Sequence, residues 1–278
     1  MRIKNTRGLK RKKKLMDYSL FSKEFSGKII LVTGGSGQIG HTLISSYVGV
    51  GATVINTDIT PGENNVDLSD QFPNGEPRSF FLEADITQRG AVEDAVKKII
   101  DVFGHIDILI NLAGISVFTP FEERTDEEFQ SIMDVNVKGT FLATQIVSRY
   151  MIKEAVRGII LNVGSIYGVS IADQRIYGDS GRNSPEVYAI SKAGVIHFTR
   201  YMARYLALYG IRVNCISPGG IFNNQAPAFV NNYIYKTPLN RMGTPEDLIG
   251  GIFYLTSSMS EYVTGQNLLV DGGFTIGD

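Results

Sequence analysis

Short apolar, β-branched runs alternate along most of the chain with longer segments of helical periodicity. Segments such as Ala91–Phe103 repeat apolar residues at helical spacing and predict helices. Seven apolar runs predict buried strands: Lys28–Val32, Ala52–Asp58, Ser79–Ala84, Ile106–Ile110, Gly158–Asn162, Arg212–Ile216 and Asn267–Val270. Because strands and helices alternate throughout, the pattern predicts an α/β fold, with a doubly wound parallel sheet of about seven strands and helices on both faces.

The longest predicted helix contains a locally unfavourable segment. Thr125–Glu128 matches a capping box, and the apolar pattern then continues towards Tyr150. Asn136 and Gly139 lie in the middle of this helix, where both residue types lower helix stability. We expect a local distortion that serves a purpose, with a harmless, solvent-facing Asn136 as the alternative.

A glycine-rich turn follows the first predicted strand. Residues Thr33–Gly40 read Thr-Gly-Gly-Ser-Gly-Gln-Ile-Gly, and a helical pattern follows them. Glycines let the backbone approach a ligand closely, and the N–H groups of a helix N-terminus attract a pyrophosphate. Strand, glycine turn and helix in this order predict a dinucleotide-binding, Rossmann-type fold.

An acid ends the second predicted strand. Asp58 lies eighteen residues beyond Gly40, where a carboxylate accepts hydrogen bonds from the ribose hydroxyls of NAD and repels the 2′-phosphate of NADP. Between Gly27 and Arg78 the only Lys or Arg is Lys28, ahead of the first strand. The predicted cofactor is therefore NAD(H). A simple turn that begins at Asp58 is the alternative.

Three polar side chains are predicted to meet at the carboxyl end of the sheet. Ser184 as N-cap and Pro185 at the first helical position start a helix. Tyr188 and Lys192 share one face of it, and a nearby ammonium lowers the pKa of a phenol, which makes Tyr188 a candidate general acid/base. Ser165 follows the fifth strand, where such sheets bind ligands. A chance Tyr–Lys pair on a solvated face is the alternative.

Basic residues cluster at the N-terminus of an otherwise acidic chain. The 278 residues carry a net charge of −1, yet eight of the 27 Lys and Arg lie in residues 1–14, which contain no acid, so 19 oppose 28 acids elsewhere. Such a tail can contact nucleic acid or an anionic membrane, but without an amphipathic or aromatic pattern we interpret it as a solvated extension. Met16 follows it directly, so a misassigned start codon is a further alternative.

The composition is that of an ordinary globular protein, with 43% hydrophobic and 20% charged residues. A single cysteine, Cys215, excludes an intrachain disulfide, and no His/Cys cluster has metal-ligand spacing, so we expect no metal. The N-terminus lacks the apolar segment of a signal peptide, and we expect a cytoplasmic protein. Residues 1–24 are predicted to form a basic extension, disordered in part, and residues 25–278 a single NAD-binding catalytic domain.

The chain resembles the short-chain dehydrogenase/reductase family over about residues 25–275. The motifs that carry the resemblance are the glycine turn, Asp58, Asn111-Leu112-Ala113-Gly114, Asn136, Ser165, Tyr188 and Lys192. The resemblance implies a Rossmann-type oxidoreductase that acts on a small molecule and forms a homodimer or homotetramer.

The resemblance also implies a role for each site residue. Tyr188 would exchange a proton with the substrate oxygen, Ser165 would hold that oxygen, and Lys192 would bind the nicotinamide ribose and lower the pKa of Tyr188. Asn136 would anchor a water that relays protons. The implied cofactor contacts are Gly34, Ser36, Gly37, Gln38, Ile39, Gly40, Asp58, Asp85, Ile86, Asn111, Ala113, Gly114, Tyr188, Lys192, Pro218, Gly219 and Ile221.

Two departures from the family pattern concern the cofactor. Gln38 stands where glycine is usual, and the spacing of the glycines in the turn resembles that of longer sugar-nucleotide epimerases and dehydratases. Asn223, after Pro218 and Gly219, stands where the family often carries Thr, which weakens any expectation of a bond from this position to the nicotinamide amide.

The third departure is an insertion. Ser165 and Tyr188 are separated by 22 residues, more than is usual for the family, and the extra residues follow Tyr167. A segment inserted between two catalytic residues should lie over the substrate side of the site. Ser165, Tyr167, Arg175 and Arg182 are the predicted substrate contacts, with the arginines suited to phosphate or carboxylate. A contact between subunits is the alternative role of the insertion.

These patterns predict a NAD-dependent oxidoreductase that interconverts a secondary alcohol and a ketone. The predicted substrate is a sugar or another polyhydroxylated or anionic molecule, with surface-glycan biosynthesis as a hypothesis for its context. One alternative is an epimerase or dehydratase that uses bound NAD transiently, and another is a non-catalytic dinucleotide sensor. We expect no nucleic-acid or membrane partner. The aromatic residues in Phe118–Phe121 and Phe222–Tyr235 could shape an apolar pocket, or belong to the core or a subunit contact.

Overall fold

The structure is a computed structural model that describes residues 21–61, 66–67, 79–178 and 185–276, with the backbone alone for 66–67. The predictions made for the basic extension up to residue 20, for Ser184 and for Arg182 lie outside the described residues.

One parallel sheet forms the centre of the molecule. Its strands are β1 Ile29–Thr33, β2 Thr53–Asp58, β3 Val66–Asp67, β4 Ser79–Glu83, β5 Ile108–Asn111, β6 Ile159–Val163, β7 Arg212–Pro218 and β8 Asn267–Val270. Their order across the sheet is β3-β4-β2-β1-β5-β6-β7-β8, and every adjacent pair is parallel. The predicted doubly wound α/β fold is confirmed, and the two-residue β3 is a strand that the apolar pattern did not predict.

Helices cover both faces of this sheet. They are α1 Ser22–Phe25, α2 Gln38–Gly49, α3 Arg89–Phe103, α4 Asp126–Met133, α5 Thr140–Lys153, α6 Glu186–Leu206, α7 Pro227–Lys236 and α8 Pro245–Thr256. One core cluster lies between the sheet and α3, α5 and α6, and a second lies between the sheet and α1, α2 and α8. Each strand of the sheet centre is buried on both faces, which explains why these strands are continuous apolar runs.

The short α1 belongs to the packed part of the chain. The ring of Phe25 lies 5.0 Å from that of Tyr47 and 4.9 Å from that of Phe253, and Phe21 also packs on Phe253. The predicted boundary between extension and domain, at residues 24 and 25, therefore falls inside a helix that is anchored to the core.

The long helix predicted from Thr125 is interrupted, as its sequence indicates. Thr125 and Glu128 form the capping box of α4. Residues Asp134–Gly139 then form a π-helical turn between α4 and α5, and Asn136 within it is fully buried. The expected local distortion is present, and the solvent-facing alternative for Asn136 is wrong.

Candidate active site

The carboxyl ends of the strands carry the candidate site. The chain order reverses between β1 and β5, which are neighbours in the sheet although three strands separate them along the chain. Loops leave this edge in opposite directions at such a switch point and open a crevice. A groove of about 500 Å³ and a cavity of about 380 Å³ occupy it, and the two share Gly114 and Ile115.

The glycine turn forms one wall of the groove. Gly34 has a φ of +72°, and a Cβ there would lie less than 3 Å from the backbone of Ala113, so a side chain cannot be accommodated. The backbone N–H of Gly35 donates to Asn56 Oδ1 at 2.8 Å. At the N-cap Gly37 no side chain accepts a hydrogen bond from α2. The first N–H groups of α2 therefore remain available at the groove, where an anion would be stabilised.

Two predicted acids lie along the same groove. Asp58 accepts hydrogen bonds from the N–H of Ser36 at 3.1 Å and of Ile59 at 2.7 Å, so its carboxylate is held in place at the end of β2. Asp85 accepts two bonds from Thr87 at 2.8 Å. The predicted contacts that line the groove are Gly34, Gly37, Gln38, Ile39, Gly40, Asp58, Asp85, Ile86, Ala113 and Gly114.

Asn111 and Ser36 do not line the groove as predicted. Asn111 is buried at the end of β5, where its Nδ2 donates to Asn162 Oδ1 at 2.8 Å and to Thr144 Oγ1 at 3.0 Å. It therefore ties β5 to β6 and α5 below the groove floor, instead of lining the adenosine side. The hydroxyl of Ser36 donates to the carbonyl of Thr60 at 2.7 Å and supports the turn.

Ser165 and Tyr188 meet where the groove opens into the cavity, with their side chains close enough to interact. Ser165 follows β6 in extended conformation, and its Oγ also accepts the N–H of Tyr167 at 3.2 Å. Tyr188 is in the first turn of α6, whose N-cap is Pro185, so the helix starts one residue later than predicted. Glu186 binds Arg124 at 3.0 Å and anchors this end of α6.

Lys192 lies one turn further along α6. It is only 4% exposed, its Nζ donates to the carbonyl of Val163 at 2.7 Å, and it lies 5.6 Å from the centre of the Tyr188 ring. Burial lowers the pKa of Lys192 to about 8. Burial also raises the pKa of Tyr188, and the nearby Ser165 side chain only partly opposes this effect.

The effect of Lys192 on the pKa of Tyr188 stays a prediction. The ammonium lies over the phenol ring and donates to a backbone carbonyl, and loss of water around the hydroxyl is the largest cause of the raised pKa. In this protein the phenol is held in its protonated form at neutral pH.

Asn136 connects the π-helical turn to the floor of the site. Its Oδ1 accepts the N–H of Ile115 at 2.8 Å, and its Nδ2 donates to the carbonyl of Ile115 and to Ser191 Oγ. The π turn directs this side chain towards Gly114 and Lys192, since a Cβ added to Gly114 would lie 3.2 Å from Lys192 Nζ and 3.4 Å from Asn136 Oδ1. Asn136 therefore braces the segment that joins groove and cavity.

The cavity beyond Ser165 is lined by uncharged side chains among the described residues. They include the hydroxyl groups of Tyr167, Tyr177, Tyr188 and Tyr233 together with apolar and aromatic surfaces. Tyr167 and Tyr177 share a hydrogen bond, and burial raises the pKa of Tyr167. Of the predicted nicotinamide contacts, Gly219 and Ile221 line the cavity, and Pro218 ends the adjacent β7.

The inserted segment packs against α7 and closes one side of this cavity. The ring of Tyr177 lies 5.3 Å from that of Phe229, and Asn232 donates to the carbonyl of Ile176 at 3.3 Å. Asp173 forms ion pairs with Lys236 and Arg175, which hold its pKa well below the ordinary range.

Arg175 does not reach the cavity, contrary to the prediction. Its side chain is 88% exposed and binds Asp173 on the outer surface of the insertion. Residues that the sequence did not single out, Ile166 and Met242, do line the cavity. The aromatic spacing of Phe229 and Tyr233 on α7 was the available signal for this wall.

We expect Arg175→Ala to leave kcat/KM within about twofold of the wild-type value, because an exposed ion pair contributes little and the side chain is remote from the cavity. Steady-state kinetics with the turned-over substrate test this, and Lys153→Ala, which removes another exposed ion pair, with Glu154, serves as the matched control. A loss of kcat/KM above tenfold in Arg175→Ala, with no such loss in the control, would show that Arg175 contributes to the substrate site.

Within the described residues, no group of three or more His, Cys, Asp and Glu side chains could hold a metal ion. None of the helices in the described ranges combines the length and apolar character needed to cross a membrane.

Comparison with known proteins places this geometry in context. A family model described as enoyl-(acyl carrier protein) reductase matches residues 36–275. The 3-oxoacyl-[acyl-carrier-protein] reductase FabG of Thermotoga maritima is 36% identical over 255 residues, which cover 90% of this chain and 98% of that protein. The NAD-dependent glycerol dehydrogenase of Listeria innocua is 31% identical over 268 residues, which cover 94% and 100%.

A solved structure resembles this chain over most of its length. The crystal structure of a short chain dehydrogenase from Leptospira borgpetersenii with bound NAD⁺ has a TM-score of 0.84 and 58% identity, and the match covers 92% of this chain and 95% of that one. The doubly wound sheet, the glycine turn and the Ser165–Tyr188–Lys192 arrangement agree with this similarity. The chain therefore belongs to the short-chain dehydrogenase/reductase family of oxidoreductases.

Proposed function

We propose that this protein is a NAD(H)-dependent oxidoreductase that interconverts a secondary alcohol and a ketone. The observation that carries the proposal is the meeting of Ser165 and Tyr188 at the junction of the groove and the cavity, with Lys192 buried beside them. A carbonyl oxygen placed there would contact two hydroxyl groups.

Bound NAD(H) would supply or accept the hydride. Tyr188 would then transfer a proton to or from the substrate oxygen: burial keeps its phenol protonated at neutral pH, and in ketone reduction the alkoxide that forms, a stronger base than a phenolate, takes this proton. Ser165 holds the same oxygen. Lys192 supports the cofactor ribose and carries a proton that its lowered pKa makes available near pH 8. Asn136 positions the Gly114–Ile115 segment and would anchor the water that connects Lys192 to solvent.

The groove fits a dinucleotide. The turn that Gly34 allows, and the free N–H groups at the start of α2, suit a pyrophosphate. Asp58 would accept hydrogen bonds from the adenosine ribose, Asp85 and Ile86 would border the adenine, and Gly219 and Ile221, which line the cavity, would border the nicotinamide. The bound NAD⁺ of the Leptospira structure supports the same cofactor here, and we assign this role to the single domain of residues 25–278.

We expect Asp58→Ala to lose NADH preference. The wild-type protein should bind NADH at least about tenfold more tightly than NADPH, because the Asp58 carboxylate repels the extra phosphate. In the variant, the ratio of the two Kd values should fall below threefold. Titration of both cofactors by fluorescence or calorimetry measures the ratio, with Asp101→Ala, an exposed acid on α3, as control. Equal binding of both cofactors to the wild type would contradict the NAD(H) assignment.

For the substrate we propose an uncharged, polyhydroxylated ketone or the corresponding alcohol, such as a neutral sugar derivative. Aromatic faces pack on the C–H surfaces of a sugar ring, while the tyrosine hydroxyls bind its hydroxyl groups. The lining offers no cation among the described residues, but Arg182 lies outside them, so an anionic group on the substrate remains the alternative. The name of the Listeria relative, a dehydrogenase of a polyol, supports this class.

A 3-oxoacyl ketone is the second candidate substrate. The apolar wall formed by Ile115, Phe118 and Met242 could accommodate an acyl chain, and the names of the Thermotoga relative and the family model describe acyl carrier protein substrates. The sugar substrate stays a hypothesis beside the 3-oxoacyl ketone, and so does the role in surface-glycan biosynthesis.

Turnover assays separate these possibilities. NADH consumption is followed with acetoacetyl-coenzyme A, dihydroxyacetone and a neutral ketohexose, and NADH production is followed from NAD⁺ with glycerol and myo-inositol. Net change of NADH with any of them supports the oxidoreductase. Isomerisation or dehydration of a sugar without net NADH would favour the epimerase or dehydratase alternative, and NADH binding without any chemistry would favour the sensor.

We further propose a homo-oligomer. Phe141 on α5 and Ile190, Tyr201 and Tyr205 on α6 are large, exposed side chains, and a shared apolar surface of this kind is typical of subunit contacts. Light scattering of the purified protein gives its mass, and a monomer at micromolar concentration would contradict the proposal.

A further inference from the structure

One hydrogen bond joins the two ends of the candidate site. The side chain of Gln38 donates from Nε2 to the carbonyl of Phe222 at 2.7 Å, although 184 residues separate the two along the chain. Gln38 is the first residue of α2, at the glycine turn that follows β1. Phe222 lies four residues after the end of β7, on the segment that lines the cavity.

This bond crosses the carboxyl edge of the sheet. β5 and β6 lie between β1 and β7 in the sheet, so the two strands are about 14 Å apart at a spacing of about 4.8 Å per strand. The chain segments that carry Gln38 and Phe222 must therefore reach towards each other over the ends of β5 and β6. Gly114 follows β5, and Ser165 follows β6. The groove and the cavity are continuous at Gly114 and Ile115, along the line that a dinucleotide would follow.

The acceptor end of the bond is held firmly. The N–H of Phe222 donates to the carbonyl of Gly243 at 2.8 Å, and Ile221 forms a β-bridge with Gly243. Gln225 adds two hydrogen bonds. Its Nε2 donates to the carbonyl of Ile221 at 2.9 Å, and its Oε1 accepts from the N–H of Asn223 at 2.7 Å. The Gln38 side chain, in contrast, is exposed, so it is the part that can move.

We propose that Gln38 closes the groove over the cofactor, so that NAD(H) enters and leaves when the Gln38–Phe222 hydrogen bond opens. The inference rests on the proposed cofactor and adds a positioning role to the one residue of the glycine turn that departs from the family pattern. Glycine at this position has no side chain to make the bond. Since the bond joins two groups of the chain itself and would form in both the free and the bound protein, it slows binding and release alike and leaves the affinity nearly unchanged.

Gln38→Met tests the proposal, because methionine keeps the length of the side chain and removes the N–H donor. Stopped-flow mixing of the full chain with NADH, read by the fluorescence of NADH itself, gives the association rate constant, and displacement with excess NAD⁺ gives the dissociation rate constant. We expect both to rise about three- to tenfold, the range for loss of one exposed hydrogen bond, with Kd within about twofold of wild type.

Two further variants guard the interpretation. Gln38→Ala should repeat the increase in both rate constants, which separates loss of the bond from an effect of the methionine. Gln266→Met is the matched control, since Gln266 is also exposed and donates to a backbone carbonyl, that of Thr264, outside the groove; its rates should equal those of the wild type.

The other outcomes overturn the proposal. If only the dissociation rate constant rises and Kd weakens, Gln38 contacts the cofactor directly. If only the association rate constant rises, the side chain obstructs the groove, and if neither changes, the bond has no role in exchange. Failure of the wild-type protein to bind NADH would contradict the proposed cofactor itself, and this result is obtained before any variant is compared.

Discussion

Tyr188→Phe is expected to lower kcat by roughly 10²- to 10⁴-fold, the usual contribution of a positioned acid or base. The variant keeps the half-buried ring on α6 and loses the hydroxyl that lies near Ser165 and would transfer the proton. Because burial raises the pKa of this phenol, the wild-type group is uncharged at neutral pH and its removal deletes no charge. NADH affinity should therefore stay within about threefold of the wild-type value.

The measurement pairs kcat from NADH absorbance with Kd from a fluorescence titration. Tyr262→Phe is the matched control, since Tyr262 is fully exposed and does not line the cavity, and it should change neither value. A Tyr188→Phe variant that retains more than a tenth of the wild-type kcat would remove Tyr188 from the proposed mechanism.

Lys192→Met should lower the activity of the protein without lowering its stability. We expect a loss of kcat of about 10²-fold or more, because the group that supports the cofactor and the proton path is gone. At neutral pH the wild-type protein keeps an ammonium at a site that is 4% exposed, and this lowers its stability. Methionine has a similar volume and needs no hydration, so the variant should fold as stably as the wild type or more stably near pH 7.

The pKa of Lys192 determines how the unfolding free energy of the wild type changes with pH. The pKa of Lys192 is about 8 in the folded protein against 10.5 for a free lysine side chain, so between these values the unfolded chain binds the proton more tightly than the folded protein does. The unfolding free energy of the wild type should then rise with pH through this window by about 3 kcal/mol relative to the variant, at 1.36 kcal/mol for each pKa unit. Below pH 8 the full penalty is present.

Denaturant unfolding of both proteins between pH 7 and pH 10.5 measures this difference. The hydrogen bond from Lys192 to the carbonyl of Val163 is lost in the variant, but its loss adds a term with little pH dependence in the lower half of the range. Lys98→Met, at an exposed position of α3, should track the wild type at every pH. Parallel pH curves for wild type and Lys192→Met would show that burial does not perturb this amine.

Local signals in the sequence were sufficient for the architecture. Apolar runs for β1 and β5, the capping box at Thr125 and the glycine turn each depend on residues close together in the chain, and all appear in the structure. The distortion around Asn136 was also readable, because asparagine and glycine are unfavourable within a helix whatever surrounds it. The two-residue β3 carries too short a pattern to be recognised.

Long-range contacts decided the details of the site. The sequence offered Asn111 and Arg175 as ligand contacts, yet one is buried between β5, β6 and α5 and the other faces solvent beside Asp173. Which way a polar side chain turns depends on partners that folding brings near, and a single sequence does not name them. The bond between Gln38 and Phe222 is a further example, since no local pattern links positions 184 residues apart.

By itself, then, the sequence determined the doubly wound α/β fold, the glycine turn, and the convergence of Ser165, Tyr188 and Lys192 at the carboxyl edge of the sheet. Periodicity and spacing specify these features because each is local or follows from the order of strands. Only the tertiary structure decided the direction of the Tyr188 pKa shift and the aromatic lining that the described residues give the cavity. Both depend on how much water the packed chain excludes from each group, which is a property of the whole fold.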